Sequence, residues 1–168
     1  PMRSLVLVFL MVALNLPMLA ADSSNRIVGG VAASIGEFPF MVSLQKGGHF
    51  CGGTLIHKNW VMTAAHCVRG SSSSSLKIRV GLYQQSDLNG VETFSAKQVL
   101  VHPDYNGSTN DFDFALIELN GDSKVSPVGL YEVPIDIPDE ESIAPLATTV
   151  GWGLTKEGGS LSSTLMKV

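Results

Sequence analysis

The chain has 168 residues, 45% of them apolar and only 15% charged, so it has enough hydrophobic material for a core. This charged fraction is lower than in an average soluble protein, which argues against a disordered chain or a coiled coil. A formal net charge of −4 argues against a nucleic-acid partner bound through basic patches. The 17 glycines favour a turn-rich β protein, and two cysteines are too few for a four-cysteine zinc site.

The first residues have the layout of a secretory signal peptide. Arg3 supplies a positive charge, residues 4–19 are almost entirely apolar, and two alanines follow. This order predicts a cleaved signal peptide over residues 1–21 and a secreted, extracellular protein in an oxidising compartment. Asn15 and Pro17 shorten the apolar core below the ~20 residues that a spanning helix needs, so no membrane anchor is predicted.

After residue 26 the sequence alternates short apolar runs with glycine-bearing turns, and no helical pattern of useful length occurs. The runs predict strands over 40–45, 50–56, 60–65, 76–81, 92–102, 114–119, 148–153 and 165–168. The serine run 71–75 is interpreted as a solvated loop, and the stretch with Pro127, Pro134, Pro138 and Pro145 as an extended linker. Many short strands with glycine turns favour a sandwich or a barrel.

Several motifs stand in an order that is informative in combination. They are Arg26-Ile27-Val28-Gly29-Gly30, Phe50-Cys51-Gly52-Gly53-Thr54-Leu55, Thr63-Ala64-Ala65-His66-Cys67, His102-Pro103-Asp104-Tyr105, Asp113-Phe114-Ala115-Leu116 and Gly151-Trp152-Gly153. With these motifs the chain resembles the trypsin/chymotrypsin family of serine endopeptidases from Arg26 through Val168. The resemblance implies an all-β, trypsin-like double antiparallel β-barrel. It also implies a short activation peptide over 22–26, a complete first barrel over 27–122, and a linker with the truncated start of a second barrel over 123–168.

The resemblance assigns catalytic roles to two of these residues. His66 would be the general base, a role that suits an imidazole because its ordinary pKa lies near neutrality. Asp113 would fix the tautomer of His66 and stabilise the imidazolium. Asp111 is the alternative, and strand alternation does not separate the two because they have the same parity. In the family pattern the aspartate is followed by an apolar residue, then an alanine and then a leucine. This order selects Asp113 and leaves Asp111 as a turn residue.

The resemblance also implies processing, partners and a disulfide. Cleavage after Arg26 by a trypsin-like protease would activate a zymogen by freeing the Ile27 ammonium. Protein or peptide substrates and protein inhibitors are the expected partners. Cys51 and Cys67 are expected to bond, which would contribute about 3 kcal/mol through loop closure. Asn106 begins an Asn-Gly-Ser acceptor for N-glycosylation.

No cofactor and no metal ion are predicted. Adjacent side chains on a strand point to opposite faces, which argues against a metal site made by His66 and Cys67, and the four histidines show no ligand spacing. The family's calcium loop would lie near residues 82–92. Its start carries Leu82 and Tyr83 where an acid is usual, although Asp87 and Glu92 are present.

The family's nucleophile segment, Gly-Asp-Ser-Gly-Gly, does not occur in the sequence, and Ser160, Ser162 and Ser163 are interpreted as loop residues. We therefore expect a partial sequence, inactive by itself, from a secreted trypsin-like zymogen that acts through a Ser-His-Asp acyl-enzyme mechanism. An unclosed second barrel would leave edges exposed and the chain poorly stable. The alternative hypothesis is a catalytically inactive homologue that acts as a binding or inhibitor module.

Overall fold

A computed structural model describes residues 30–131, 147–156 and 158–168. The predicted signal peptide, the predicted cleavage point at Arg26 and Ile27, and Pro134, Pro138 and Pro145 lie outside these residues. The elements in chain order are β1 Val31–Ala32, β2 Met41–Gln45, β3 His49–His57, β4 Trp60–Thr63, α1 Ala65–Val68, a 3₁₀ turn Ser73–Ser75, β5 Lys77–Val80, β6 Glu92–Val101, β7 Ala115–Leu119, β8 Val150–Gly151 and β9 Met166–Lys167.

Six antiparallel strands close into a barrel in the order β2–β3–β4–β7–β6–β5. Inward side chains of these strands form one core with Ala65 and Val68 of α1 and with Leu76, which precedes β5. The strand residues of this core are Val42, Leu44, Leu55, Val61, Ile78, Val80, Ala96, Ala115, Ile117 and Leu119. At Gly53 in β3 a Cβ atom would lie 2.9 Å from Val61 Cγ1 and 3.0 Å from the Met62 carbonyl oxygen. Glycine at this position therefore allows β3 and β4 to approach closely.

A second, three-stranded sheet lies in the order β1–β9–β8. Its strands have two residues each, and Lys167 of β9 pairs with both Val31 and Val150. Trp152 follows β8 and is 1% exposed, packed in a second core cluster with Ala33, Met41, Leu82 and Leu165. The Trp152 indole N–H donates to the Tyr83 carbonyl oxygen at 3.1 Å, which links the second sheet to the segment between β5 and β6.

The predicted all-β fold with a closed first barrel is confirmed, and two details of the prediction are wrong. The strand predicted over 60–65 ends at Thr63, and the chain turns at once into α1, although no helix was expected. The terminal strands predicted over 148–153 and 165–168 shorten to β8 and β9. The pairing of β1 with β9 was not anticipated, because two residues carry no readable alternation. In the part of the chain that the structure describes, no helix is long and apolar enough to cross a bilayer.

Candidate active site

Strand register brings His66 and Asp113 to the same end of the barrel. Strands β4 and β7 pair antiparallel, with Thr63 opposite Ala115. His66 lies three positions after Thr63, and Asp113 lies two positions before Ala115. Because antiparallel pairing sets the end of one strand beside the start of the other, two residues distant in sequence become neighbours.

Asp113 contacts His66 with both carboxylate oxygens. His66 Nδ1 lies 2.6 Å from Asp113 Oδ2, and the His66 main-chain N–H donates to Asp113 Oδ1 at 2.8 Å. The hydrogen bonds from the His66 side chain and backbone hold the pKa of Asp113 below its usual range. An ionised carboxylate only accepts hydrogen bonds, so the ring proton of neutral His66 sits on Nδ1 and Nε2 is left as the basic atom.

Helix α1 positions His66 at the surface. Ala65 and Val68 are buried in the barrel core, whereas the His66 side chain is 57% exposed. The helix receives no side-chain cap from Ala64. Asp113 instead accepts one of the unpaired N–H groups of the first turn, a capping role that the sequence analysis missed.

The predicted disulfide between Cys51 and Cys67 is confirmed and ties α1 to β3. His66 and Cys67 both lie on α1 and not on a strand, so the prediction that their side chains point to opposite faces is wrong. Cys67 Sγ is 3.4 Å from His66 Nε2, and the two sulfurs and the ring fall within 4.8 Å of one another. Both sulfurs are bonded to each other, so neither offers the thiolate that a metal ion would need.

A strained turn presents Asp113. Asn110 and Phe112 have φ angles of 59° and 53°, in the left-handed region that a bulky residue such as phenylalanine rarely occupies. The Phe112 ring stacks on His102, with 5.0 Å between centroids and 9° between planes. Asp111 lies elsewhere, accepting from the Thr109 hydroxyl at 2.6 Å. The structure thus brings Asp113, and not Asp111, to His66.

A cleft of about 480 Å³ opens beside Asp113 between the barrel and the second sheet. Thr63 and Ala64 lie along the barrel side of the cleft, while Thr148 and Val150 line the side of the second sheet. His66 is not among the lining residues.

The remaining predicted residues that the structure describes form no hydrogen bond with His66 or Asp113. Asn106 is exposed on the loop before Asp113, and Glu92 accepts hydrogen bonds from the Ser123 hydroxyl and the Lys124 main-chain N–H. A histidine–serine pair that the sequence does not indicate lies elsewhere in the barrel, where His49 Nδ1 is 2.8 Å from Ser43 Oγ. Alternation along β2 would assign Ser43 to the face opposite Leu44, but nothing in the sequence indicates its partner.

Comparison with known proteins identifies the family of the chain. The family model described as Trypsin matches residues 27–168. "Serine proteinase stubble" of Drosophila melanogaster is 39% identical over 88% of this chain and 20% of its own length. "Trypsin" of Sus scrofa is 37% identical over 87% of this chain and 61% of its own, and "Trypsin I-P38" of Gallus gallus is 37% identical over 95% and 62%. The chain therefore spans less than two thirds of each of these relatives, and by the family match it belongs to the trypsin family of serine peptidases.

Proposed function

We propose that the chain is part of the catalytic domain of a secreted serine endopeptidase that is made as a zymogen. The observation that carries the proposal is the hydrogen bond between His66 Nδ1 and Asp113 Oδ2. An inactive binding homologue has no chemical need for this pair. Family membership and the relatives named as trypsins and as a serine proteinase support the same activity class.

The mechanism follows from which ring atom is basic. His66 Nε2 takes the proton of a serine hydroxyl as its oxygen bonds to the substrate carbonyl carbon. The imidazolium gives that proton to the leaving amine, and water then cleaves the acyl-enzyme by the same route in reverse. Asp113 stabilises the imidazolium through its ionised carboxylate. The serine belongs to a segment that this sequence does not contain.

The proposal includes activation of the zymogen by proteolytic cleavage. Cleavage after Arg26 by a trypsin-like protease would free the Ile27 ammonium, and the family match begins at Ile27, which supports this position. Protein substrates and protein inhibitors would be the partners. The leader over residues 1–21 would direct secretion, where the Cys51–Cys67 disulfide is stable.

A covalent probe tests the proposal. The product of the natural gene, cleaved after Arg26, is incubated with a serine-directed phosphonate and analysed by mass spectrometry. We expect one adduct, strongly reduced in His66→Ala, because the serine loses its base. His57→Ala, which changes an exposed histidine of β3, is the matched control and should label like the wild type. A folded, cleaved protein without adduct would contradict the proposal and favour an inactive homologue that acts as a binding or inhibitor module.

A further inference from the structure

The loop between β6 and β7 carries an acceptor pattern for N-linked glycans at an accessible place. The pattern is an asparagine, any residue except proline, and a serine or threonine, here Asn106-Gly107-Ser108. All three residues are exposed. We propose that Asn106 carries an N-linked glycan that stands at the rim of the His66–Asp113 site and limits access by large substrates. The inference rests on the proposed function, because glycosylation requires entry into the secretory pathway.

Local geometry suits the transfer chemistry. Asn106 Oδ1 accepts a hydrogen bond from the Ser108 main-chain N–H at 2.9 Å, which bends the backbone into an Asx turn. Within the described residues no hydrogen bond occupies Asn106 Nδ2. In the transfer, the C1–O bond of a lipid-diphosphate-linked oligosaccharide breaks and C1 bonds to Asn106 Nδ2. The amide gives up one proton and the lipid diphosphate leaves.

The backbone of Asn106 pairs with the segment that leads into Asp113. The Asn106 main-chain N–H donates to the Asp111 carbonyl oxygen at 3.1 Å, and the Asn110 N–H donates to the Asn106 carbonyl oxygen at 2.8 Å. Asn106 thus lies directly across the loop from Asp111, which is two residues before Asp113. A glycan attached here starts only a few residues from the carboxylate that holds His66.

A second contact fixes the loop against the helix that carries His66. The Arg69 guanidinium lies over the Tyr105 ring, 5.7 Å from its centroid, and Arg69 directly follows α1. Gly107 packs beside the same guanidinium, where a Cβ atom would clash with an Arg69 side-chain nitrogen. A hydrated glycan on Asn106 therefore crowds approach from this side. A folded protein substrate needs that space, whereas a short peptide does not.

Whether Asn106 carries a glycan can be tested without measuring catalysis. The chain is expressed in a eukaryotic secretory host behind an established leader, and its mass is measured before and after enzymatic removal of N-glycans. We expect a mass excess that enzymatic removal abolishes. Ser108→Ala should lack the excess, although it keeps the main-chain N–H that bonds Asn106, and Ser108→Thr should retain it. A folded, secreted wild type with the bare polypeptide mass would overturn the inference and leave the proposed function standing.

The effect of the glycan on substrate access is tested by comparing kcat/KM for a large and a small substrate. In the activated product of the natural gene, Ser108→Ala should raise kcat/KM for a folded protein substrate several-fold and leave kcat/KM for a short peptide ester unchanged. Enzymatic removal of the glycan from the wild type should reproduce the rise. Equal rates for both substrates in glycosylated and unglycosylated enzyme would overturn the proposed limit on access. If the enzyme showed no activity but carried the glycan mass, the proposed function and the proposed effect of the glycan on access would both be contradicted. The modification of Asn106 would still stand.

Discussion

At the scale of single residues, Asp113 has two roles that one substitution can separate. Its Oδ2 fixes the His66 ring, and its Oδ1 caps the His66 main-chain N–H. Asn at this position keeps an oxygen that can cap α1, but its NH₂ group presents a donor to Nδ1 and favours the wrong ring tautomer. In a Ser-His-Asp arrangement this change lowers kcat by about 10⁴-fold.

We therefore predict that Asp113→Asn abolishes most of the activity and retains the fold, whereas Asp113→Ala also destabilises α1. Peptide-ester kinetics give the first quantity, and urea unfolding at neutral pH gives the second. ¹⁵N chemical shifts of His66 report the tautomer directly. An Asp113→Asn protein whose ring proton remains on Nδ1 would show that the carboxylate does not set the tautomer.

His49 gives the protein a pH-dependent contact outside the active site. Its ring is half-buried against Trp152, with 5.2 Å between centroids, and bonds the buried Ser43 hydroxyl. Burial lowers the pKa of His49 below its ordinary value of 6.5. A histidine with a lowered folded pKa binds its proton more readily when unfolded, so its contribution to stability is present above pH 6.5 and lost as the pH falls toward the folded pKa.

We predict that the urea midpoint of the wild type falls between pH 7 and pH 5 by more than that of His49→Gln. Both proteins contain the same other titrating groups. The difference between their changes in urea midpoint with pH therefore reports the titration of His49. His57→Gln, at an exposed position of the same strand, controls for loss of a histidine in general and should keep the wild-type slope. Parallel slopes for wild type and His49→Gln would refute this assignment.

At the scale of elements, the disulfide holds the turn that presents His66. Cys51 lies in β3 and Cys67 in α1, with a sequence separation of 16. Loop closure of this size contributes about 3 kcal/mol to the free energy of unfolding in the chain-entropy model. We predict that the Cys51→Ala/Cys67→Ala protein loses about this amount in urea unfolding. Native-state hydrogen exchange should accelerate first in α1, and exchange that accelerates only in β5 and β6 would contradict the prediction.

Strand periodicity and motif order made much of the barrel predictable, but local turns were less predictable. Strands β2, β3, β5, β6 and β7 each span four or more residues, which is long enough for the run to be recognised as a strand between turn residues. Helix α1 has only four residues, so its core contacts through Ala65 and Val68 leave no period to detect. The left-handed Phe112 has no local signal either, because the surrounding fold imposes that conformation.

The same distinction applies to the site. Motifs pointed to His66 and Asp113, and only the β4–β7 register explains how they meet. The capping of α1 by Asp113 and the Ser43–His49 pair involve partners that the sequence does not juxtapose, so no pattern could predict them.

At the scale of the whole molecule, the barrel and the second sheet differ in how they are stabilised. The barrel closes on itself, so its six strands pair on both sides. The second sheet has three strands of two residues each, which is too little to be stable without packing. Its attachment depends on the second core cluster, in which Trp152 is the largest side chain. Truncation of Trp152 should therefore destabilise the second sheet more than the barrel.

We predict that Trp152→Ala lowers the free energy of unfolding by about 3–5 kcal/mol, as expected for truncation of a buried tryptophan. Amide exchange should rise at Ala33 and Leu165, whose N–H groups bond within and beside the second sheet, and should stay slow in β6 and β7. Trp152→Phe is the matched control: it keeps most of the packing and removes only the hydrogen bond to the Tyr83 carbonyl oxygen, so its loss should be much smaller. Uniform acceleration of exchange in barrel and second sheet would mean that they unfold as one unit, with Trp152 part of a single shared core.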